Sequence, residues 1–497
     1  MSSTQRKLIT VFSFSQIARM CGGVLHGTVP DESKGLVTGV SSDTRSIAEG
    51  DFFVALVGER FDAHDFLEGA ADAGASLALV SKLPDTALLE RLPCVLVEDT
   101  LAALQWLARD LFERVIRFHR GVETIALTGS NGKTTTKEIL RALWASEGST
   151  YATRGNLNNH IGVPLTLCNM PVDFDTIIVE MGANRQGDIA ELIRFAPSGR
   201  RVVTSIGSAH IEGFGGLDGV RRGKGEIFRS PSAGNLAVVP HHERDALIPE
   251  NYPGRVWTFG PKGSGATLEF AVDGVTVDGM KVWLRAHEEE LTLTLPLMGE
   301  HNASNLAAAL ATLWDAKISK AKTKKAKREA AKLDAAKLDE ALSKLEVPGG
   351  RWRKVQVGEL LFLDDAYNAN PSSVMASFEA FVQWQAALEE SHGGPRVAVI
   401  GEMLELGEGA KNFHQEIARS IAREESLHLL VCVGAYADAM AAAVSERSGL
   451  EVVAAKDVAS AASALEERAT RGVVFLKASR GARLERVIDI IQDGCPG

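Results

Sequence analysis

Nine consecutive residues, Thr128-Gly-Ser-Asn-Gly-Lys-Thr-Thr-Thr136, combine two glycines, a lysine and a run of hydroxyls. That set can hold the phosphates of a nucleotide. Gly129 and Gly132 let the backbone turn tightly and approach an anion with no Cβ in the way. Successive N–H groups through Ser130, Asn131 and Thr135, with the positive end of a following helix, would face the phosphates. Lys133 can reach the outer phosphates, and the Thr134 hydroxyl can ligate the Mg²⁺ that accompanies them. The loop is shorter than the common G-x-x-x-x-G-K-[ST] form, so its context carries weight. The apolar run Thr124-Ile-Ala-Leu127 precedes it, and Lys137–Trp144 reads as a helix. A glycine turn with a solvated lysine is the plainer alternative; strand, loop and helix in this order favour an ATP site.

These residues need a sheet edge to hold them. Thr176–Glu180 and Arg201–Ser205 read as strands separated by the helical stretch Asp188–Phe195. Strands alternating with helices imply a parallel sheet with ligands outside the carboxyl ends of the strands. Glu180 ends one strand and His210 follows another, so Lys133, Thr134, Glu180 and His210 are expected at one edge. A glutamate ending a strand is commonly a cap; beside a nucleotide-bound Mg²⁺ it becomes a metal ligand. Asn158 and Asn159 lie in an amide-rich loop that reads as turn residues. Lys224 lies in the expected helix Leu217–Phe228 and reads most simply as a surface lysine. Asn302 is placed to cap a helix over Leu306–Ala316. Asn305, one turn on, is less easily explained that way.

The 497 residues are too many for one core and divide into an expected three α/β domains, 1–118, 119–346 and 347–497. In the first, Asp51–Leu56 and Leu77–Val80 read as strands and Phe66–Ala73 and Leu101–Phe118 as helices. Ser42, Asp43 and Arg45, with Asp62 and His64, form polar clusters beside the first strand that composition alone reads as turn chemistry. Residues 317–346 are rich in Ala, Lys and Leu and read as a solvated, peripheral helical insertion at the end of the central ATP domain. The third domain carries apolar strands at Leu360–Asp364, Arg396–Ile400, Leu429–Val433 and Val473–Lys477, a second doubly wound parallel sheet of Rossmann-like type. Polar residues follow its strands: Asp365, Tyr367, Asn368 and Asn370, then Lys477, Ser479 and Arg480. They should line a carboxyl edge facing the nucleotide domain.

A net charge of −10 argues against general nucleic-acid binding. Five scattered cysteines with no C-x-x-C pair fit reduced thiols rather than a disulfide framework or zinc site. Arg6 and Lys7 precede an apolar run, but Gln16 and Arg19 interrupt it, and an amphipathic helix ending at Gly22-Gly23 accounts for it better than a signal peptide. No stretch reaches membrane-spanning length. A cytoplasmic protein with no membrane insertion is expected.

Seven motifs in order now point one way. They are the phosphate loop, Asn-Leu-Asn-Asn-His-Ile-Gly-Val-Pro-Leu-Thr (156–166), Val-Glu-Met-Gly-Ala-Asn (179–184), Ala-His-Ile-Glu-Gly-Phe-Gly (209–215), Lys-Gly-Glu-Ile-Phe (224–228), His-Asn-Ala-Ser-Asn (301–305) and Asp-Asp-Ala-Tyr-Asn-Ala-Asn-Pro (364–371). Nearly the whole chain resembles the Mur ligase family. Phe214-Gly215 with Lys-Gly-Glu close behind favours the branch that adds D-alanyl-D-alanine.

The resemblance implies that ATP phosphorylates the C-terminal carboxylate of UDP-N-acetylmuramoyl-tripeptide and that the amine of D-alanyl-D-alanine attacks the acyl phosphate. It implies a catalytic set of Lys133, Glu180, His210 and Lys224. Thr134 and Glu180 would ligate one Mg²⁺, and His210 with Glu180 a second. Lys224 matches the family's carbamylated lysine, whose negative charge suits a nearby metal. Asn302, Asn305, Arg351 and Asp365 would contact the nucleotide. Ser42, Asp43, Arg45, Asp62 and His64, with Asn158 and Asn159, would recognise the UDP-sugar and tripeptide. Tyr367, Asn368, Asn370, Lys477, Ser479 and Arg480 would meet D-alanyl-D-alanine and substrate carboxylates. A monomer is expected. Ala478 stands where the family has glycine, Ser205 replaces a common asparagine, and the Lys-rich insertion is atypical. A related amide ligase, such as a folate polyglutamate or tripeptide-stage muramoyl ligase, an ATP-driven switch, and an inactive binding protein are the competing readings.

Overall fold

Short apolar strands alternating with helices assemble into three sheets in a computed structural model that describes residues 6–29, 37–58, 61–119, 121–207, 211–388, 394–444 and 448–494. The first sheet has five strands in the order Val24–His26, Cys94–Leu96, Leu77–Val80, Phe52–Val54, Val40–Ser41, parallel except at the first pair. The carboxyl ends of its parallel strands carry both polar clusters read from the sequence. The helix Thr100–Phe118 leaves this sheet and packs on Gly162–Cys168 of the central domain. Asn169 extends the junction: its amide accepts from Val40 N at 3.1 Å and donates to Val40 O at 2.9 Å.

The central sheet has nine strands. Thr150–Ala152, Thr176–Glu180, Glu123–Thr128, Arg200–Val203, Leu236–Pro240, Arg255–Pro261 and Leu268–Val275 run parallel in that spatial order. Ile177, Ile178 and Val179 are all buried, as befits a strand covered by helices on both faces. Two antiparallel strands, Met280–Ala286 and Glu289–Leu295, extend the sheet beyond what the motifs indicated. Their alternation of buried Met280, Val282, Leu284 and Ala286 with less buried neighbours is the period-two pattern of a half-covered sheet.

The phosphate loop leads into the helix Lys133–Ala145, which begins four residues before the stretch read as helical. It packs against Glu300–Lys320, whose Ala307, Ala308, Ala309 and Ala311 are fully buried. A helix apolar on every side belongs inside. Trp144 Nε1 donates to Thr312 Oγ1 at 3.0 Å between the two. The structure corrects Asn302: the helix starts at Glu300 after Gly299, so Asn302 is interior, and its amide donates to Met298 O at 2.8 Å.

The insertion is also corrected. The helix Glu300–Lys320 runs through its first residues, and Lys324–Ala331 and Ala335–Ser343 follow as separate helices. Leu338 and Leu342 are buried in the main core, and Ala331, also buried, accepts a hydrogen bond on its carbonyl from Trp314 Nε1 at 2.8 Å. Glu147 accepts from Lys337 at 2.9 Å and pairs with Lys317. A segment 30 residues long whose composition is polar therefore hides one apolar face that the charge count obscured.

The third sheet has six strands in the order Arg353–Val357, Glu359–Asp364, Arg471–Lys477, Arg396–Ile400, Leu429–Val433, Glu451–Ala455, parallel after an antiparallel first pair. Ala478 faces its core, fully buried, and a Cβ on Gly401 would lie 2.8 Å from the Ala478 methyl. Gly401 thus makes the room that Ala478 uses. No helix of the described residues is long and apolar enough to cross a membrane.

Leu342→Ala should cost about 2–5 kcal/mol and lower the urea unfolding midpoint, whereas exposed Lys325→Ala should stay within about 0.5 kcal/mol. Equal, negligible shifts would return the insertion to the solvated periphery.

Candidate active site

The carboxyl edges of the central and third sheets face each other across a cleft of about 950 Å³. Ser130, Asn131, Gly132, Lys133, Thr134 and Thr135 form one lip. The loop is tight because nothing larger than glycine fits: a Cβ on Gly129 would lie 2.0 Å from Thr204 Oγ1, and one on Gly132, at φ +79°, 2.3 Å from Asn305 Oδ1. Thr204 and Ser205 both donate to Asn131 O, at 2.6 and 3.0 Å, and Asn131 N donates back to Ser205 Oγ at 2.9 Å. Ser205 therefore fastens the loop directly. Lys133 Nζ folds onto the loop and donates to Gly129 O at 2.7 Å. Burial holds its ammonium below the ordinary lysine range; Glu180 opposes this and Arg351 adds to it.

Glu180, 1% exposed, lies at the floor. Oε1 accepts from Asn158 Nδ2 at 2.8 Å and Thr134 Oγ1 at 3.3 Å. Oε2 lies 3.5 Å from the ammonium of Lys137, itself fully buried and donating to Gly155 O at 3.0 Å. Among the described residues none donates a hydrogen bond to Oε2. A buried carboxylate oxygen with spare lone pairs beside a threonine hydroxyl suits a hard cation such as Mg²⁺. Among the described residues no group of three His, Cys, Asp or Glu side chains could hold a metal; Mg²⁺ commonly completes its shell with substrate phosphates and water.

The opposite wall comes from the third domain. Arg351 lies 3.6 Å over the Tyr367 ring, and its Nη2 donates to Thr134 Oγ1 at 3.2 Å. Lys477 pairs with Asp365 at 2.5 Å. Asn302 and Asn305 hydrogen-bond at 3.0 Å where the central helix meets the loop. Asn368 and Asn159 also line the cleft. Asn159, however, spends its carbonyl on Ile161 N and Gly162 N at 3.1 and 2.8 Å, which is turn chemistry.

Lys224 is no surface residue. It is fully buried at the end of Leu217–Gly225, and a 3₁₀ turn over Glu226–Phe228 replaces the expected continuation of that helix. Nζ donates to Ala183 O at 3.0 Å, directly behind the cleft wall that Ala183 forms, and lies 5.1 Å over the Phe214 ring. Burial drives its amine well below the ordinary range, and the charge of Lys133 pushes the same way against Asp188.

Other expected site residues lie elsewhere. Ser42, Asp43, Arg45, Asp62 and His64 do not line the cleft; they sit at the carboxyl edge of the first sheet. Arg45 Nη2 pairs with Asp43 at 2.7 Å, and Asp62 accepts from Lys82 at 2.8 Å and His64 Nδ1 at 2.5 Å. Ser81 N donates to His64 Nε2 at 2.9 Å. Asn370 turns from the cleft to the phosphate loop. Ser479 is buried, accepting from Leu404 N at 2.9 Å, and Arg480 pairs with Glu485 at 3.0 Å while lying 5.7 Å from the Tyr367 ring. Gly129 shapes the loop from behind. His210 lies outside the described residues.

Sequence reasoning missed Lys137, Ser372, Trp352 and His301. Lys137 lies one helical turn after Lys133, a spacing that places both on one face. His301 was inside a motif already noted. Burial lowers it to about 4, with Asp365 opposing and Lys477 adding to the effect. The unfolded chain protonates this imidazole near 6.5 and the folded chain only near 4, so its contribution to stability falls as pH drops through that interval. His301→Gln should therefore lose less urea resistance than the parent between about pH 7.5 and pH 5. Equal losses would place His301 in water.

Comparison with known proteins agrees with this geometry. Residues 127–313 match the Mur ligase middle domain and residues 350–481 the Mur ligase glutamate ligase domain. A UDP-N-acetylmuramoyl-tripeptide–D-alanyl-D-alanine ligase of Escherichia coli (strain K12) is 33% identical over 486 residues, 97% of this chain and 98% of that one. The crystal structure of MurF from Acinetobacter baumannii superposes with a TM-score of 0.79 at 28% identity, covering 97% of this chain and 99% of that one. The MurF ligase of Thermotoga maritima in complex with ADP gives 0.73 at 28% identity, covering 92% and 97%. With a phosphate loop facing a third-domain wall and likeness along almost its entire length, the chain belongs to the Mur ligase family.

Proposed function

We propose that this protein is an ATP-dependent amide ligase that joins D-alanyl-D-alanine to UDP-N-acetylmuramoyl-tripeptide, releasing ADP and phosphate. One observation carries the reading: Thr134, Glu180 and Arg351, from the phosphate loop, a central strand end and the third domain, meet within hydrogen-bond reach in one cleft. The Escherichia coli relative, a UDP-N-acetylmuramoyl-tripeptide–D-alanyl-D-alanine ligase, supplies the substrates of this reading.

A tripeptide carboxylate oxygen attacks the γ-phosphorus and ADP leaves, giving an acyl phosphate. The dipeptide amine then attacks the acyl carbon, loses a proton, and phosphate departs as the amide forms. Lys133 and the loop amides stabilise charge on the transferring phosphoryl group. Thr134 and Glu180 would hold Mg²⁺, and by resemblance alone His210 joins Glu180 at a second. When bound, the metal neutralises phosphate charge and aligns the reacting oxygens. The Lys224 amine, buried and held well below the ordinary lysine range, would add to CO₂ with loss of a proton, and the resulting carbamate would offer oxygens and negative charge suited to a hard cation. Arg351, Asp365, Asn302 and Asn305 bound the nucleotide, while Lys477, with Tyr367, Asn368 and Arg480 nearby, would meet the dipeptide side. The carboxyl edge of the first sheet, with Ser42, Asp43, Arg45, Asp62 and His64, would receive the UDP-sugar. We place the reaction in the cytoplasm, with a monomer as the working unit.

With ATP, Mg²⁺ and UDP-muramoyl tripeptide, ADP release should require D-alanyl-D-alanine and yield a pentapeptide; release indifferent to the dipeptide would favour an ATP switch. Lys133→Ala should lower kcat by about 100-fold or more. Lys224→Ala should abolish turnover with no rescue by bicarbonate, and near-normal turnover would remove Lys224 from the site.

A further inference from the structure

Three side chains close a ring of hydrogen bonds between the phosphate loop and the third domain. Asn370 Nδ2 donates to Asn131 Oδ1 at 2.7 Å, Asn131 Nδ2 donates to Ser372 Oγ at 3.1 Å, and Ser372 Oγ donates to Asn370 Oδ1 at 2.9 Å. Every member of the ring both gives and receives, so no polar atom within it is left without a partner, and such rings hold one geometry. Both ends are anchored. Asn131 is fixed by Thr204 and Ser205 through its backbone. Asn370 Oδ1 also accepts from Ser373 N at 2.9 Å, opening the helix Pro371–Leu388. The ring sits beside the phosphates' position on the loop, and Ser372 lines the cleft.

We propose that Asn370 and Ser372 are positioning residues that latch the third domain to the phosphate loop through Asn131. This rests on the ligase reading above. An acyl phosphate survives only while water is excluded, and the cleft is closed only while the two sheet edges stay together. The latch reads the loop itself: Asn131 follows Ser130 and precedes Gly132, so a shift of the loop moves the side chain that Asn370 and Ser372 must find. Closure is thereby tied to the loop conformation, and the amine side of the cleft is assembled only over a correctly formed nucleotide site.

Ser372→Ala removes two of the three ring bonds and leaves Asn370 on Ser373 N. Only one of the two, Asn131 Nδ2 to Ser372 Oγ, crosses between the domains, so with the net value of one ordinary hydrogen bond the ratio of closed to open forms should fall about fivefold. Two readouts follow on the full-length protein. Phosphate released per amide formed should rise above the parent's ratio, because opening admits water to the acyl phosphate. The radius of gyration in the presence of a non-hydrolysable ATP analogue should increase. Ser372→Thr, which keeps the hydroxyl, should restore both. Asn131→Ala with Ser372→Ala should be no worse than Asn131→Ala alone, because Asn131→Ala already removes both bonds that cross to the third domain. Additive effects, or a Ser372→Ala protein with the parent's coupling ratio and radius, would overturn the latch even if its unfolding midpoint fell. Failure of the parent to form any amide would count against the ligase reading instead, and the radius would still decide the latch.

Discussion

A carboxylate with almost no exposure is the constraint around which this protein is built. Burying the Glu180 carboxylate costs free energy unless donors and cations surround it. Thr134 and Asn158 supply hydrogen bonds, and buried Lys137 supplies charge at 3.5 Å. These come from a helix start, a loop and the body of that helix, so three segments must be in register before the floor exists. The strand Thr176–Glu180 sets that register through its parallel pairing with Glu123–Thr128, which places Glu180 opposite Leu127, just before the phosphate loop. The remaining oxygen of Glu180 is left for an incoming cation.

The second condition is water exclusion. A phosphate loop alone can bind a nucleotide, but a mixed anhydride formed on it would hydrolyse. The third sheet answers this by presenting its own carboxyl edge to that of the central sheet, so that Arg351 reaches Thr134 and the Asn131–Asn370–Ser372 ring ties loop to helix. Both walls are made of strand ends because parallel sheets gather their loops at one edge. The first sheet offers a third such edge, away from the cleft, with its charges paired among themselves.

Much of this was legible in the residues. The phosphate loop, the strand ending in Glu180 and the four apolar strands of the third domain announced themselves through glycine spacing and short apolar runs, and the family motifs ordered them. What escaped had physical reasons. Lys137 is charged, so its type suggested a surface, yet its helix face is fixed by the sheet beneath it. Lys224 misled in the same way. The Lys-rich segment has an apolar face carried by few residues, and Leu338 and Leu342 are outnumbered by lysines in any count of composition. Asn302 looked like a cap because the helix start was placed at the first apolar run rather than at Glu300. Asn370 belonged to a motif whose neighbours line the cleft, and only the fold shows its amide turned to Asn131.

The central claim is that the cleft activates a carboxylate by phosphorylation before the amide forms. The direct test is oxygen transfer. UDP-muramoyl tripeptide carrying ¹⁸O in its terminal carboxylate is turned over with ATP, Mg²⁺ and D-alanyl-D-alanine, and the released phosphate is analysed by mass. The account predicts one ¹⁸O atom in each phosphate, carried from the carboxylate through the acyl phosphate. Phosphate free of the label, formed alongside amide, would contradict it.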